Sequence, residues 1–473
     1  MVNTKIFHIF FSSASQLIFI LHRLLTKIFP PSPNIQRSQN IFFETLGLSG
    51  LLLYLTNINL NSDLFSSGEI IIFLAFVLSW KSWKVLYTHP LFLLACIWVI
   101  AVIISALTGI HYFPVAPALD QLDEARKMLL YSLFIVVGWW IGPNIISIRN
   151  AFLVVCLGFV LSSLPWLIDW SSLSHMIEGN RPGKNILGMY TNQYANWAGF
   201  LLVGLTFFGI NILPKFLTGS KQIYLGYLLY IFIITCLTVG VYVTQTRTIW
   251  IGVIASIIFG TILLFFTCIK AKNSFHGLVV PIIIILTIIG LGVVKFEHIS
   301  ARFAQESTTI STVVSGTPEE VELTPLGKRI HVYQWALSYD SFISLFGWGP
   351  LATVTISENQ NLREIHDWPE KLEMVHLHNT ALEICFRTGI FGTATIILIF
   401  LFLIKGVLDS FRKDRIPPFL FTFLVSTMFF FVFAGLTTFN IRIIALFPIL
   451  GGLLFSSSLM TLSSSGKNTN FRS

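Results

Sequence analysis

Residues 376–406 read HLHNTALEICFRTGIFGTATIILIFLFLIKG. Two unlike pieces stand in series here. His376, His378 and Asn379 make a polar head, and from 380 to 404 the chain is almost wholly apolar. A helix of that length crosses roughly 30 Å of hydrocarbon, so the stretch reads as a membrane span with a histidine-asparagine pair at its mouth. Glu383 and Arg387 stand four apart on it. At that spacing they face one another, and pairing makes a charge tolerable within the bilayer. Gly389 and Gly392 lie about ten residues beyond the pair, some ~15 Å along a helix, and glycines at that spacing permit close helix approach.

Working outward, similar runs recur at 41–58, 68–86, 89–110, 127–146, 149–169, 194–213, 223–244, 248–269, 276–295, 416–436 and 440–461. The 473 residues are 54% hydrophobic and 11% charged, with a mean hydropathy of +0.78. A soluble domain carries about 25% charged residues, so lipid is the main solvent here and nucleic acid is no expected partner. The expectation is an all-α polytopic membrane protein of about twelve transmembrane helices with one large, partly helical loop. Its organisation would be an N-terminal interfacial segment at 1–40, helices over 41–295, the loop at 296–379, further helices over 380–461, and a tail at 462–473. Residues 4–29 carry Lys5, His22, Arg23 and Lys27 but no small-residue cleavage site. They read as a retained amphipathic helix on the cytoplasmic face. Cys96, Cys156, Cys236, Cys268 and Cys385 sit in apolar runs without metal-type spacing and read as packing residues.

Lysine and arginine in alternate loops set the orientation. Lys81 and Lys84, Arg149, Lys215 and Lys221, Lys270 and Lys272, and the cluster from Lys405 to Arg415 share one face with the termini, which is therefore cytoplasmic. The other face holds most acids, among them Asp120, Asp123, Glu124, Glu319, Glu320 and Glu322, together with the large loop. Arg126, Arg181, Lys184, Arg247 and Arg442 are cations at helix ends on this outer side, and Arg329 lies in the loop. Each alone reads equally well as a snorkelling side chain. As a set recurring at one depth they favour an anionic ligand, and arginine suits phosphate because its planar fork donates two hydrogen bonds at once.

Four stretches carry candidate chemistry. Asn180-Arg181-Pro182-Gly183-Lys184, with Asn192 opening the next span, is a non-helical segment able to approach a ligand closely. Thr244-Gln245-Thr246-Arg247-Thr248 joins two apolar helices almost without a loop and holds Arg247 at the interface. Gly327-Lys328-Arg329 through Leu337 reads as an amphipathic helix with Arg329 at its start and Tyr333, Ala336 and Leu337 at helical spacing. Gly347-Trp348-Gly349 then makes a tight turn, and simple packing on the bundle explains those aromatics equally well. The fourth is His378-Asn379, where a histidine beside arginines becomes a candidate general base. No Asp-x-Asp, metal-spaced cluster, Walker loop or dinucleotide fingerprint occurs. Transfer chemistry would therefore need a donor already activated by a phosphate leaving group.

Taken together these stretches resemble the O-antigen ligase and polymerase superfamily over roughly residues 41–461. The most specific element is His378-Asn379, nine residues, then Gly389, Gly392 and Thr393. The Arg247 turn, the helix from Arg329 to Gly349 and the loop from Arg181 to Asn192 resemble the family's other outer segments. Arg387 is not expected of the family and reads as structural. The resemblance implies a GT-C-like glycosyltransferase fold in the bacterial inner membrane, with the large loop and active site periplasmic. It implies an inverting, metal-independent transferase without cofactor. Its partners would be membrane lipids, a glycan on undecaprenyl pyrophosphate as donor and a lipid A core hydroxyl as acceptor.

In that scheme His378 is the base and Arg181, Arg247, Arg329 and Arg442 stabilise the leaving pyrophosphate. Lys184, Asn379, Gly389 and Gly392 support them. Asn379 either orients the imidazole or caps the helix that follows. An O-antigen or exopolysaccharide polymerase and a protein O-oligosaccharyltransferase share the constellation. A solute transporter would instead show internal repeats and polar helices near mid-bilayer, and a structural partner of a glycan-export complex would not require the arginines or His378.

Overall fold

The structure is a computed structural model describing residues 16–32, 35–57, 62–169, 191–208, 220–244, 246–271, 278–294, 300, 304, 307–315, 321–338, 344–366, 376–436 and 446–462. Among these the chain is helical, with one isolated bridge between Ser32 and Ile35. In chain order the helices are α1 (16–28), α2 (Ile41–Thr56), α3 (Ser62–Leu78), α4 (Pro90–Tyr112), α5 (Ala118–Leu129), α6 (Phe134–Ile141), α7 (Ile145–Ile168), α8 (Thr191–Phe208) and α9 (Ser220–Val243). Then come α10 (Arg247–Ala271), α11 (Val279–Val294), α12 (Ser307–Val314), α13 (Pro325–Ser338), α14 (Ala352–Glu358), α15 (Gln360–Ile365), α16 (Thr380–Arg412), α17 (Pro418–Gly435) and α18 (Leu446–Leu459).

Each expected apolar run overlaps a helix. Among the described residues six helical segments are long and apolar enough to cross a membrane by length and composition, in α4, α7, α9, α10, α16 and α17. Shorter apolar helices occur at Ile41–Thr56, Ser66–Leu78 and Leu446–Leu459. On α4 the reason for a lipid solvent is visible in one stripe. Leu93, Ile100 and Leu107, seven residues apart, are 61%, 52% and 62% exposed, while Trp98 and Val102 on the opposite face are buried. Leaving a large aliphatic side chain in water forgoes about 1.5–3 kcal/mol, so a stripe of them belongs against hydrocarbon.

Local chemistry starts the helices where they start. Asn40, Asn144 and Asn379 cap α2, α7 and α16, each accepting from a backbone N–H of the first turn. Pro90 and Pro418 occupy first-turn positions of α4 and α17, where a missing N–H costs nothing. In the bundle α10 lies on α8 and α17, while α16 lies on α4, α17 and α18; α17 thus stands between α10 and α16. A second, smaller apolar core gathers Val332, Trp335 and Ala336 of α13, Ala352 and Ile356 of α14, and Leu377, Phe113 and Phe386. It anchors the segments of the large loop onto the ends of α4 and α16.

Two local expectations shift. In α13 the buried face is Val332, Trp335 and Ala336, whereas Leu337 is exposed, so the stripe turns by one position. Arg329 falls in the second turn of that helix, not at its start, because Pro325 opens it.

The span expected at 380–404 is not one continuous helix. Gly389 adopts φ +68, ψ −168 inside α16 and breaks it. The break strands the carbonyls of Phe386 and Arg387 and the N–H groups of Ile390 and Phe391. The Gly347–Gly349 turn supplies partners: Trp348 N–H donates to Phe386 O (3.0 Å), Gly349 N–H to Arg387 O (3.1 Å), and Ile390 and Phe391 N–H to Ser344 and Leu345 O (3.0 and 3.1 Å). Gly389 therefore serves a backbone docking joint, where glycine tolerates the left-handed φ. The helix from 390 to 412 is ~35 Å long and crosses a bilayer without the Glu383–Arg387 turn.

Candidate functional site

The site is built where α16 begins. Asn379 Oδ1 accepts from Ala381 N (3.0 Å) and Leu382 N (3.1 Å), which makes the residue a helix cap. Half-buried His378, immediately before it, has φ +50, a left-handed conformation uncommon outside glycine. The Tyr333 hydroxyl donates to the His378 carbonyl at 3.2 Å. Arg329 lies one turn earlier on the same helix, close enough for its charge to act on that phenol. Burial pushes the Tyr333 hydroxyl up from its usual range, with Arg329 and Asn379 pulling the other way. The structure thus brings Arg329, Tyr333, His378 and Asn379 into one cluster.

Directly beneath lies a polar network that the sequence shows only in part. Arg387 Nε meets Glu383 Oε1 at 2.7 Å, and Nη1 meets Glu124 Oε1 at 3.0 Å. Nη2 donates to Thr353 Oγ1 (3.2 Å) and His376 Nδ1 (3.3 Å). Thr353 donates to Glu383 Oε1 at 2.6 Å, and the Leu377 N–H to Glu383 Oε2 at 2.8 Å. Lys127 pairs with Glu124 at 2.9 Å. Ser105 of α4 donates to the Arg387 carbonyl at 2.5 Å. Arg387 and Glu383 have no exposed surface. Burying such ions is repaid only by good geometry and further hydrogen bonds, and Arg387 and Glu383 each meet several partners here.

Glu124 had read as one of the outward acids. It is buried, and its α5 neighbours Gln121, Ala125 and Met128 share that face. Burial alone would raise its pKa; the adjacent Arg387 and Lys127 outweigh burial and hold the carboxyl below its ordinary value. The i, i+3 spacing of Gln121 and Glu124 beside Ala125 and Met128 was the available signal for a buried polar face. Nothing local in the sequence pointed to His376 or Thr353 as partners of Arg387. Arg126, by contrast, is exposed and pairs with Asp123 at 3.4 Å.

Arg247 belongs to another helix. It is half-buried and is the first residue of α10, where backbone N–H groups favour an anion. The turn before it is tied to α8 by Thr246 Oγ1 donating to Asn192 Oδ1 at 3.3 Å, and α10 itself to α9 by Trp250 Nε1 donating to Val241 O at 2.8 Å. Gly392 is helical, and a Cβ there would meet the Thr388 side chain. Arg181, Lys184 and Arg442 lie outside the described residues. Among the described residues no group of three His, Cys, Asp or Glu side chains is placed to hold a metal ion. All five cysteines are free thiols.

Fold and site together define a polytopic helical membrane protein with a histidine at the mouth of an apolar helix, its carbonyl held by Tyr333 of α13. The segment 230–397, from within α9 through the break in α16, matches the O-antigen ligase family, and it contains Arg247, Arg329, His378, Asn379, Gly389 and Gly392. The resemblance to the O-antigen ligase superfamily is thereby supported over that segment. No curated protein matches the chain.

Proposed function

We propose that this chain is an O-antigen ligase of lipopolysaccharide biosynthesis. It transfers a polysaccharide from undecaprenyl pyrophosphate to a sugar hydroxyl of the lipid A core, at the periplasmic face of the bacterial inner membrane. The observation that carries this reading is the cluster of Arg329, Tyr333, His378 and Asn379 at the start of α16, inside the matched segment. In the reaction the acceptor oxygen bonds to the anomeric carbon as the carbon–oxygen bond to pyrophosphate breaks, with inversion. His378 takes the hydroxyl proton, and undecaprenyl pyrophosphate leaves with its extra negative charge. Arg329 and Arg247, with Arg181 and Arg442, meet that charge in place of a metal; charge-assisted bonds to arginine are stronger in the transition state, where the charge is larger. The chain is read as about twelve spans of a GT-C-like fold.

The test is transfer by the purified protein, with lipid-linked glycan and core acceptor supplied, in the presence of EDTA. Transfer to the core, lost in His378→Ala, supports the reading. Joining of two lipid-linked glycans would replace it with a polymerase, and transfer that requires added divalent metal would overturn the metal-free mechanism.

A further inference from the structure

His378 and Asp414 are the non-glycine residues with positive φ among the described residues. A side chain held in that region costs on the order of 1–3 kcal/mol and persists only where its surroundings over-determine it. Here the surroundings are explicit. The residue before His378 is held by its N–H on Glu383 Oε2 (2.8 Å). The His378 carbonyl is held by the Tyr333 hydroxyl (3.2 Å), and the residue after it caps α16 through two N–H bonds.

Glu383 in turn is fixed through its other oxygen. Oε1 takes the Arg387 Nε at 2.7 Å and the Thr353 hydroxyl at 2.6 Å, which leaves Oε2 for the Leu377 amide. The buried ion pair therefore does more than neutralise charge. It presents one carboxylate oxygen, in a fixed place, to the backbone beside the proposed base.

We propose that Glu383 and Tyr333 are positioning residues that hold His378 in its left-handed conformation and so aim its imidazole at the acceptor. The proposal rests on the reading of His378 as the general base. Both residues grip backbone, so their loss should lower kcat more than it raises KM for the donor. A glutamine at 383 cannot replace the carboxylate, because its single acceptor serves either Oε1's donors or the Leu377 N–H.

The test uses the full chain in detergent or nanodiscs with lipid-linked glycan and core acceptor. Four variants are compared: His378→Ala, Tyr333→Phe, Glu383→Gln and the doubly neutral Glu383→Leu with Arg387→Met. The double variant leaves Glu124 paired with Lys127 and avoids an unpaired buried charge. It keeps the loss of the Leu377 contact measurable if Glu383→Gln does not fold. The expected result is no transfer by His378→Ala, a kcat lowered by about 10²-fold in folded Glu383 variants and by several-fold in Tyr333→Phe, and a donor KM little changed, since small misplacements of a reacting group cost that much. An unaltered kcat in Tyr333→Phe or in a folded Glu383 variant, beside an inactive His378→Ala, overturns the clamp and leaves the base assignment standing. Full activity of His378→Ala overturns the base assignment and the clamp with it.

Discussion

Arg387 Nη1 and Glu124 Oε1 lie 3.0 Å apart although 263 positions separate them, and both side chains are almost wholly removed from solvent. This contact joins α5 to the first turns of α16 and roofs the junction with Thr353 of α14. The outer loop, the early helices and the His378 turn are thus one mechanical unit.

Removing one member of that unit leaves a buried charge without its partner. Arg387→Met is expected to cost about 3–5 kcal/mol of stability, and the Glu383→Leu/Arg387→Met pair to recover most of it. Thermal unfolding in one detergent measures both. An unchanged melting temperature in Arg387→Met would show that the network contributes nothing to the folded state.

Acid should loosen the same unit in a defined direction. Glu124 has its folded pKa lowered from the usual 4.5, with Arg387 and Lys127 overcoming burial. A depressed carboxylate contributes stability that is present above the unfolded value and is lost as pH falls through the folded one. Stability should therefore decline below about pH 4.5, and Glu124→Gln should flatten that decline. Parallel acid limbs for the variant and the unaltered protein would refute the assignment.

Gly389 and Gly392 should respond differently to alanine. At Gly389, φ is +68 and an added Cβ would stand 2.4 Å from the Gly347 nitrogen, against backbone that cannot move aside. At Gly392 the obstruction is the Thr388 side chain. Gly389→Ala should lower the melting temperature well beyond Gly392→Ala, and equal losses would mean that the break is not needed for docking the Gly347–Gly349 turn.

Arg329→Ala should lower kcat/KM for the pyrophosphate-linked donor by about 10²–10³-fold, the usual cost of deleting one donor to developing charge. Arg329→Lys should restore only part, since a single ammonium replaces a two-pronged fork. A normal kcat/KM in Arg329→Ala would remove this residue from the phosphate site.

The apolar runs were legible because lipid imposes length and composition on any segment that crosses it, and each of them overlaps a helix. The cap at Asn379 and the turn at Gly347-Trp348-Gly349 were legible for a local reason: each is decided within a few residues. The buried face of α13 was off by one position, because Val332 and Trp335 were selected by packing against Phe386 and Leu377 rather than by periodicity. The burial of Glu124 against Arg387 was not legible, because nothing near it in sequence announces that partner.

What the sequence determined by itself was a membrane protein with a histidine-asparagine pair at the mouth of a span, and cations gathered on one side. Hydropathy and charge asymmetry act residue by residue and need no partner. Only the tertiary structure decided that the His-bearing helix breaks at Gly389, that Glu383 holds the Leu377 amide, and that Tyr333 joins Arg329 to His378. The Tyr333–His378 bond spans 45 positions and the Arg387–Glu124 bond 263, and both depend on burial that exists only once the helices have met.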